Sequence, residues 1–138
     1  MAFPNGAGGY QIGSGNLSEV LLGYENTPLS AAATATLSAA QVTSGILLVG
    51  SGATAAQTYT LPSAALIEAV VSSAKVGSTF DLFVINLGTS SGTAALAMGT
   101  GTGFSDGGNA TTTVAVTTSA MYRFRKTGDN AYSVYKTA

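Results

Sequence analysis

Thr79-Phe-Asp-Leu-Phe-Val-Ile-Asn-Leu87 decides how the chain is read. Phe80, Leu82 and Val84 alternate with Phe83, Ile85 and Leu87, so both sides of an extended segment are apolar. Aromatic and β-branched residues suit a pleated surface, and a strand apolar on both faces needs cover on both. The stretch therefore predicts a central strand sandwiched between two layers. Asp81 is its one charged residue. It reads as a carboxylate satisfied by an arginine or a backbone donor at the sheet margin rather than as a catalytic group.

Shorter strands flank it. Upstream lie Thr34–Leu37, Ile46–Val49 and Gln57–Leu61, where Tyr59 alternates with Thr58 and Thr60. Downstream lie Thr93–Met98, Thr111–Thr117, Ala120–Lys126 and Ala131–Lys136, with Gly99–Gly108 read as a glycine-rich turn. Thr127-Gly-Asp-Asn130 suits a hairpin between the last two. Ser38-Ala-Ala-Gln41 fits a capping box for a brief helical turn that Gly45 ends. Pro62-Ser63 opens the one convincing helix, with Leu66, Ile67, Val70 and Val71 on one face and Glu68 on the other. No repeat of solenoid type is visible. The fold expected for residues 31–138 is all-β: a β-sandwich or jelly-roll-like domain with one inserted short helix.

Residues 1–30 read differently, as an extended N-terminal arm. Met1–Gly15 is rich in glycine and has no sustained period, so it cannot build a core of its own. Leu17, Val20, Leu21, Leu22 and Tyr24 then bring large apolar side chains together, closed by Asn26-Thr-Pro28. Ordering Leu17–Tyr24 costs roughly 8 to 16 kcal/mol of backbone entropy. Burying those five side chains returns about 1.5 to 3 kcal/mol each. The near balance predicts a partner-binding arm, held by a sheet edge or by several copies acting together.

Composition removes most chemistry. The 138 residues include no histidine, cysteine or tryptophan, and only five basic and six acidic side chains. Serine and cysteine nucleophiles thereby lack a histidine base, and thiolate metal sites and disulfides are excluded. Charged residues make up 8%, against about 25% in an ordinary soluble domain. A neutral surface of threonine, serine and alanine resists self-association poorly, which favours life inside an assembly. Met1–Gln11 has neither the basic residues nor the apolar run of a signal peptide, and no apolar stretch approaches the roughly 20 residues of a membrane helix.

The remaining candidates are weak. Glu19 and Glu25 fall in the arm, Glu68 on a helix surface and Asp129 in a turn, so no pair of carboxylates flanks a cleft at telling positions. Gly50-Ser-Gly-Ala-Thr-Ala55 resembles a dinucleotide fingerprint, but a threonine-rich strand follows where a helix should begin. Asp106-Gly-Gly-Asn109 reads as a turn, not a calcium loop. Arg123 and Arg125 lie on one face of their strand and Tyr122 and Phe124 on the other. With a net charge of -1, these arginines read as interfacial charges paired with carboxylates rather than as nucleic-acid contacts. No enzyme, cofactor, metal or membrane role is expected.

Thr36-Leu-Ser-Ala-Ala-Gln41, Gly45-Ile-Leu-Leu-Val49, Tyr59-Thr-Leu-Pro62, Val76-Gly-Ser-Thr-Phe80, Val84-Ile-Asn86 and Tyr122-Arg-Phe-Arg125, taken in order, resemble segments of the small capsid cement or decoration proteins of tailed bacteriophages. The resemblance covers Thr34–Lys136 and rests on strand and turn signatures. It implies a jelly-roll-like domain that trimerises on the outer capsid surface of the virion and ties neighbouring major capsid subunits together. The alternative is a receptor- or carbohydrate-binding module of a phage tail or fibre, which would need exposed aromatics, with Tyr132 and Tyr135 the best placed.

Overall fold

A computed structural model describes residues 22–31 and 33–138. Among the described residues the strands are β1 (Leu29–Ala31), β2 (Ala35–Thr36), β3 (Ile46–Val49), β4 (Gln57–Thr60), β5 (Thr79–Asn86), β6 (Ala94–Ala97), β7 (Phe104–Gly108), β8 (Ser119–Gly128) and β9 (Ala131–Lys136). Two helices, α1 (Ala39–Val42) and α2 (Ala64–Val70), interrupt them. The chain is β-rich, with 41% strand and 9% helix. Leu29 and Ser30, inside the stretch read as arm, already pair with β3.

The strands form a six-stranded sheet in the order β1-β3-β5-β8-β9-β7 and a three-stranded sheet in the order β2-β4-β6. Up to β6 the chain alternates between the two sheets, and within each sheet these strands run parallel. Ile46 pairs with Phe83 in one sheet and Gln57 with Ala94 in the other, the same sequence offset in both. Two successive windings of a coil are thus superposed in register. The sequence hides this repeat because no position paired between these two windings is identical and several differ in polarity, as Gln57 and Ala94, Thr58 and Ala95, and Val49 and Asn86 do. Among the described strands, β5–β8 and β8–β9 pair antiparallel, the latter closed by Asp129-Asn130 with Asn130 at φ 52°.

Both sheets face one core. Leu47, Val49, Leu82, Val84, Tyr122, Phe124, Tyr132 and Val134 from the larger meet Tyr59, Ala94 and Leu96 from the smaller. Phe124 stacks on Phe80 at 4.8 Å and meets Phe104 edge-on at 6.0 Å. The Tyr122 ring is fully enclosed, and burial pushes its hydroxyl pKa up to about 12.

Several local expectations hold. Ser38 Oγ accepts from the Gln41 N–H at 3.1 Å while Gln41 Oε1 accepts from the Ser38 N–H at 2.8 Å, the reciprocal capping box. Gly45 leaves α1 at φ 91°, a backbone that side-chain-bearing residues rarely adopt. Along β5 the alternation is as read: Leu82, Val84 and Asn86 are buried, and Phe83, Ile85 and then Leu87 point the other way.

Others need correction. Two short helices are inserted rather than one, because the capped turn at Ser38 completes a helix. Helix α2 buries Ala64 and Ile67, with Val71 packed behind them, and leaves Leu66 and Val70 exposed. A helix this short presents a narrow stripe, and the small Ala64 allows the closest approach. Gly99–Gly108, read as a turn, contains β7, an edge strand parallel to β9. Thr111–Thr117, read as a strand, is a loop tied to the small sheet by one bridge between Ala94 and Val114.

Candidate interaction surface

The outer face of the larger sheet is built from side chains that alternate with the core. Register places Ile46, Phe83 and Met121 in one row across β3, β5 and β8, with Leu48 and Ile85 in the next. Phe83 is 45% exposed near the centre of the sheet, and Leu87 just beyond is 43% exposed. The sequence predicted cover for this face. Among the described residues Ile46, Leu48, Ile85 and Met121 are half-buried, and Phe83 and Leu87 stay exposed.

Charge borders the apolar rows. Asp81 and Arg123 stand opposite each other on β5 and β8, where Arg123 donates through Nε to Oδ1 at 2.7 Å and through Nη2 to Oδ2 at 2.9 Å. This two-pronged pair is the arginine partner expected for Asp81, and the guanidinium holds its carboxyl below the usual carboxylate range. Arg125, opposite Thr79 and exposed, forms no ion pair among the described residues.

Of the arm residues singled out, Leu17, Val20 and Leu21 lie outside the described residues. Leu22 and Tyr24 are 91% and 88% exposed, and every residue from Leu22 to Pro28 is exposed. Beside this stretch a groove of about 360 Å³ is lined by Asn26, Thr27, Leu29, Ala40, Thr43, Ser44 and Val70. The two tyrosines named for sugar or receptor binding are placed otherwise. Tyr132 is buried, and the Tyr135 ring lies over Gly107 so closely that a Cβ there would sit 2.5 Å from it.

Two other carboxylates, Glu68 and Asp106, are occupied by the chain itself. Glu68 Oε1 receives the Lys126 ammonium at 2.6 Å and the Asn130 N–H at 2.9 Å, joining α2 to the β8–β9 hairpin. Lys126 holds its pKa down, and Glu68 in turn holds the lysine pKa up. Asp106 collects the N–H groups of Ala110, Thr111 and Gly108 and the Thr111 hydroxyl, all of which lower its pKa, that of Ala110 most. No group of three or more acidic, histidine or cysteine side chains that could hold a metal occurs among the described residues. No described helix is long and apolar enough to cross a membrane.

These shifts fix a pH profile. Each of the three carboxyls has a folded pKa below its unfolded one, so its contribution is present above about pH 4 and is lost as the pH falls through the folded value. Lys126 has the opposite sign: its contribution is present below about pH 10.5 and is lost on going higher. Urea midpoints should therefore be level from pH 6 to pH 8, fall in acid, and fall less in a Glu68→Gln variant. A step between pH 6 and pH 8 would contradict this assignment.

One residue that matters escaped the sequence reading. Asn86 is 1% exposed, and its Nδ2 donates to the carbonyls of Gly92 at 3.0 Å, Val114 at 3.0 Å and Ala115 at 3.2 Å. Its Oδ1 accepts from the Gly88 N–H at 2.8 Å. The signal available was an amide at an inward position of an apolar strand, immediately before a glycine-rich loop. Comparison with protein-family models, curated proteins and solved structures gives no match for this chain.

Proposed function

We propose that this chain is a structural virion protein: a homotrimer that binds the outer surface of an assembled phage capsid and clamps neighbouring major capsid subunits. The observation that carries its self-association is the apolar outer face of the larger sheet, centred on Phe83, where Phe83 and Leu87 stay exposed; the capsid as partner is supported by the resemblance of Tyr59-Thr-Leu-Pro62 and Tyr122-Arg-Phe-Arg125 to segments of decoration proteins. A face of this kind on a surface with so few charges calls for a protein neighbour. A clamp that binds only the assembled state shifts the assembly equilibrium and slows disassembly, and it needs no catalytic group or cofactor. Within the β-rich class we assign a sandwich, since two sheets share one core. Its parallel windings depart from the antiparallel Greek keys of a jelly roll.

Electron-microscopy reconstruction of the virus particles released by the producing host tests the reading. Density for this chain is expected on the outer shell at junctions between capsid subunits. Density in the tail or fibre, or no copies on the particle, would overturn it. Deleting Met1–Glu25 should leave the β domain folded, as judged by its circular dichroism and urea midpoint, and should weaken attachment to the shell or to the neighbouring copy. A truncated protein that fails to fold would place the arm in the core.

A further inference from the structure

The open sheet face and the arm carry complementary features. On the face, Ile46, Leu48, Phe83, Ile85 and Met121 form contiguous apolar rows, and Arg125 is a positive charge without a carboxylate partner among the described residues. In the arm, Leu17, Val20, Leu21 and Leu22 surround one acid, Glu19. The chain ahead of Leu22 is 21 residues long, ample to span several strands of a sheet.

Where that segment starts is also informative. Because β1 is parallel to β3, the chain traced backwards from Leu29 runs past the start of β3. There the Glu25 carboxylate lies over Gly45, the residue before Ile46; a Cβ on Gly45 would sit 2.7 Å from it. Ile46 opens the central apolar row. Every residue from Leu22 to Pro28 is exposed, so this described stretch is not packed into its own domain.

We propose that the segment Leu17–Tyr24 of a neighbouring copy of this chain covers the outer face of the six-stranded sheet, with Glu19 directed to Arg125. Each copy then gives one arm and receives one. Such a heterologous contact closes into a ring when the rotation permits, and several arms acting together hold more firmly than one. The inference rests on the self-association part of the proposed function and not on the capsid.

The absence of cysteine makes the test direct. Leu21→Cys and Phe83→Cys variants, purified separately, mixed and mildly oxidised, should give a covalent pair containing one chain of each. Light scattering of the wild-type protein is read alongside. A stable oligomer with no mixed disulfide would overturn the arm assignment and leave self-association standing, whereas a monomer at micromolar concentration would overturn both. A doubly substituted chain that closes only on itself would place the arm on its own domain and overturn the exchange. Arg125→Glu should weaken association at least tenfold, with recovery on adding Glu19→Arg. Failure to recover would overturn the pairing of these two charges.

Discussion

Replacing Asn86 with alanine is expected to lower the unfolding free energy by about 3 kcal/mol. The amide is enclosed, and it satisfies three carbonyls and one N–H from three separate segments: the turn after β5, Gly92, and the loop at Val114–Ala115. Alanine removes every one of these bonds; the Val114 and Ala115 carbonyls keep the Ala94 N–H and Thr118 as donors, whereas the Gly92 carbonyl and the Gly88 N–H lose the partner they have here, and a buried group left without one costs about 1 to 3 kcal/mol. Neighbouring backbone cannot close the gap. A Cβ on Gly88 would meet the Gly92 carbonyl, and one on Gly92 would meet the Ala53 carbonyl, so this loop is already packed backbone to backbone. Three carbonyls at Nδ2 and an N–H at Oδ1 also fix the orientation of the amide.

Asn86→Asp separates hydrogen bonding from volume. A carboxylate here would face three carbonyl oxygens in a dry site, so its folded pKa would rise above the unfolded one. The folded state then binds the extra proton, and the variant gains stability as the pH falls toward that of ordinary carboxylates. The wild-type protein loses stability over the acid range, so the two urea-midpoint curves should converge in acid. Parallel curves would show that Asn86 acts through its shape alone.

The positions that could be read from sequence were those where one local pattern decides the outcome. Alternation along Thr79–Leu87 assigns each side chain to a face, and Ser38 with Gln41 satisfies its own helix terminus within four residues. Strand direction is different. A period of two is the same whether the neighbour runs parallel or antiparallel, so the coil of β1 to β6 leaves no trace in the alternation. Phe104-Ser-Asp-Gly-Gly108 carries residues depleted from strands, yet it pairs with β9 on one side, as an edge strand need only do. Thr111–Thr117 has good strand residues, but Asp106 takes the N–H of Thr111 and the Thr118 hydroxyl and Asn86 take the carbonyl of Ala115, while Val114 keeps its ladder pair with Ala94. Side chains there hold backbone groups that a ladder would have used.

The same distinction applies to the candidate surface. Both faces of β5 were legible as apolar, and the partner of Asp81 followed from two charges on facing strands. Whether the second face is covered by the same chain depends on where the remaining layers fall, which no local pattern encodes. The smaller sheet lies with its core residues on the inner side, and Phe83 is left outside.

Phe124→Ala should be the most damaging single truncation, costing about 3 to 5 kcal/mol. The ring is fully buried on β8, with Phe80 of β5 stacked on it and Phe104 of β7 against its edge. Phe104 also lies 6.0 Å from Tyr132 of β9, so four strands of the larger sheet meet through these aromatic rings. Alanine would open a cavity bounded by flat, rigid rings on β strands, which collapse poorly, and the aromatic contacts worth about 0.5 to 1.5 kcal/mol beyond area would be lost. Domains of this size are stable by only about 5 to 15 kcal/mol, so the variant should melt about 10 to 15 °C below the wild type. Phe124→Leu, which keeps most of the volume, should lose much less. Phe83→Ala is the control on the opposite face of the same sheet: in the isolated β domain lacking Met1–Glu25 it should change the melting temperature little, because nothing described in the chain packs over that ring. Equal losses at Phe124 and Phe83 would mean that the outer face is as fully enclosed as the core, and the docking surface would then have to be sought elsewhere.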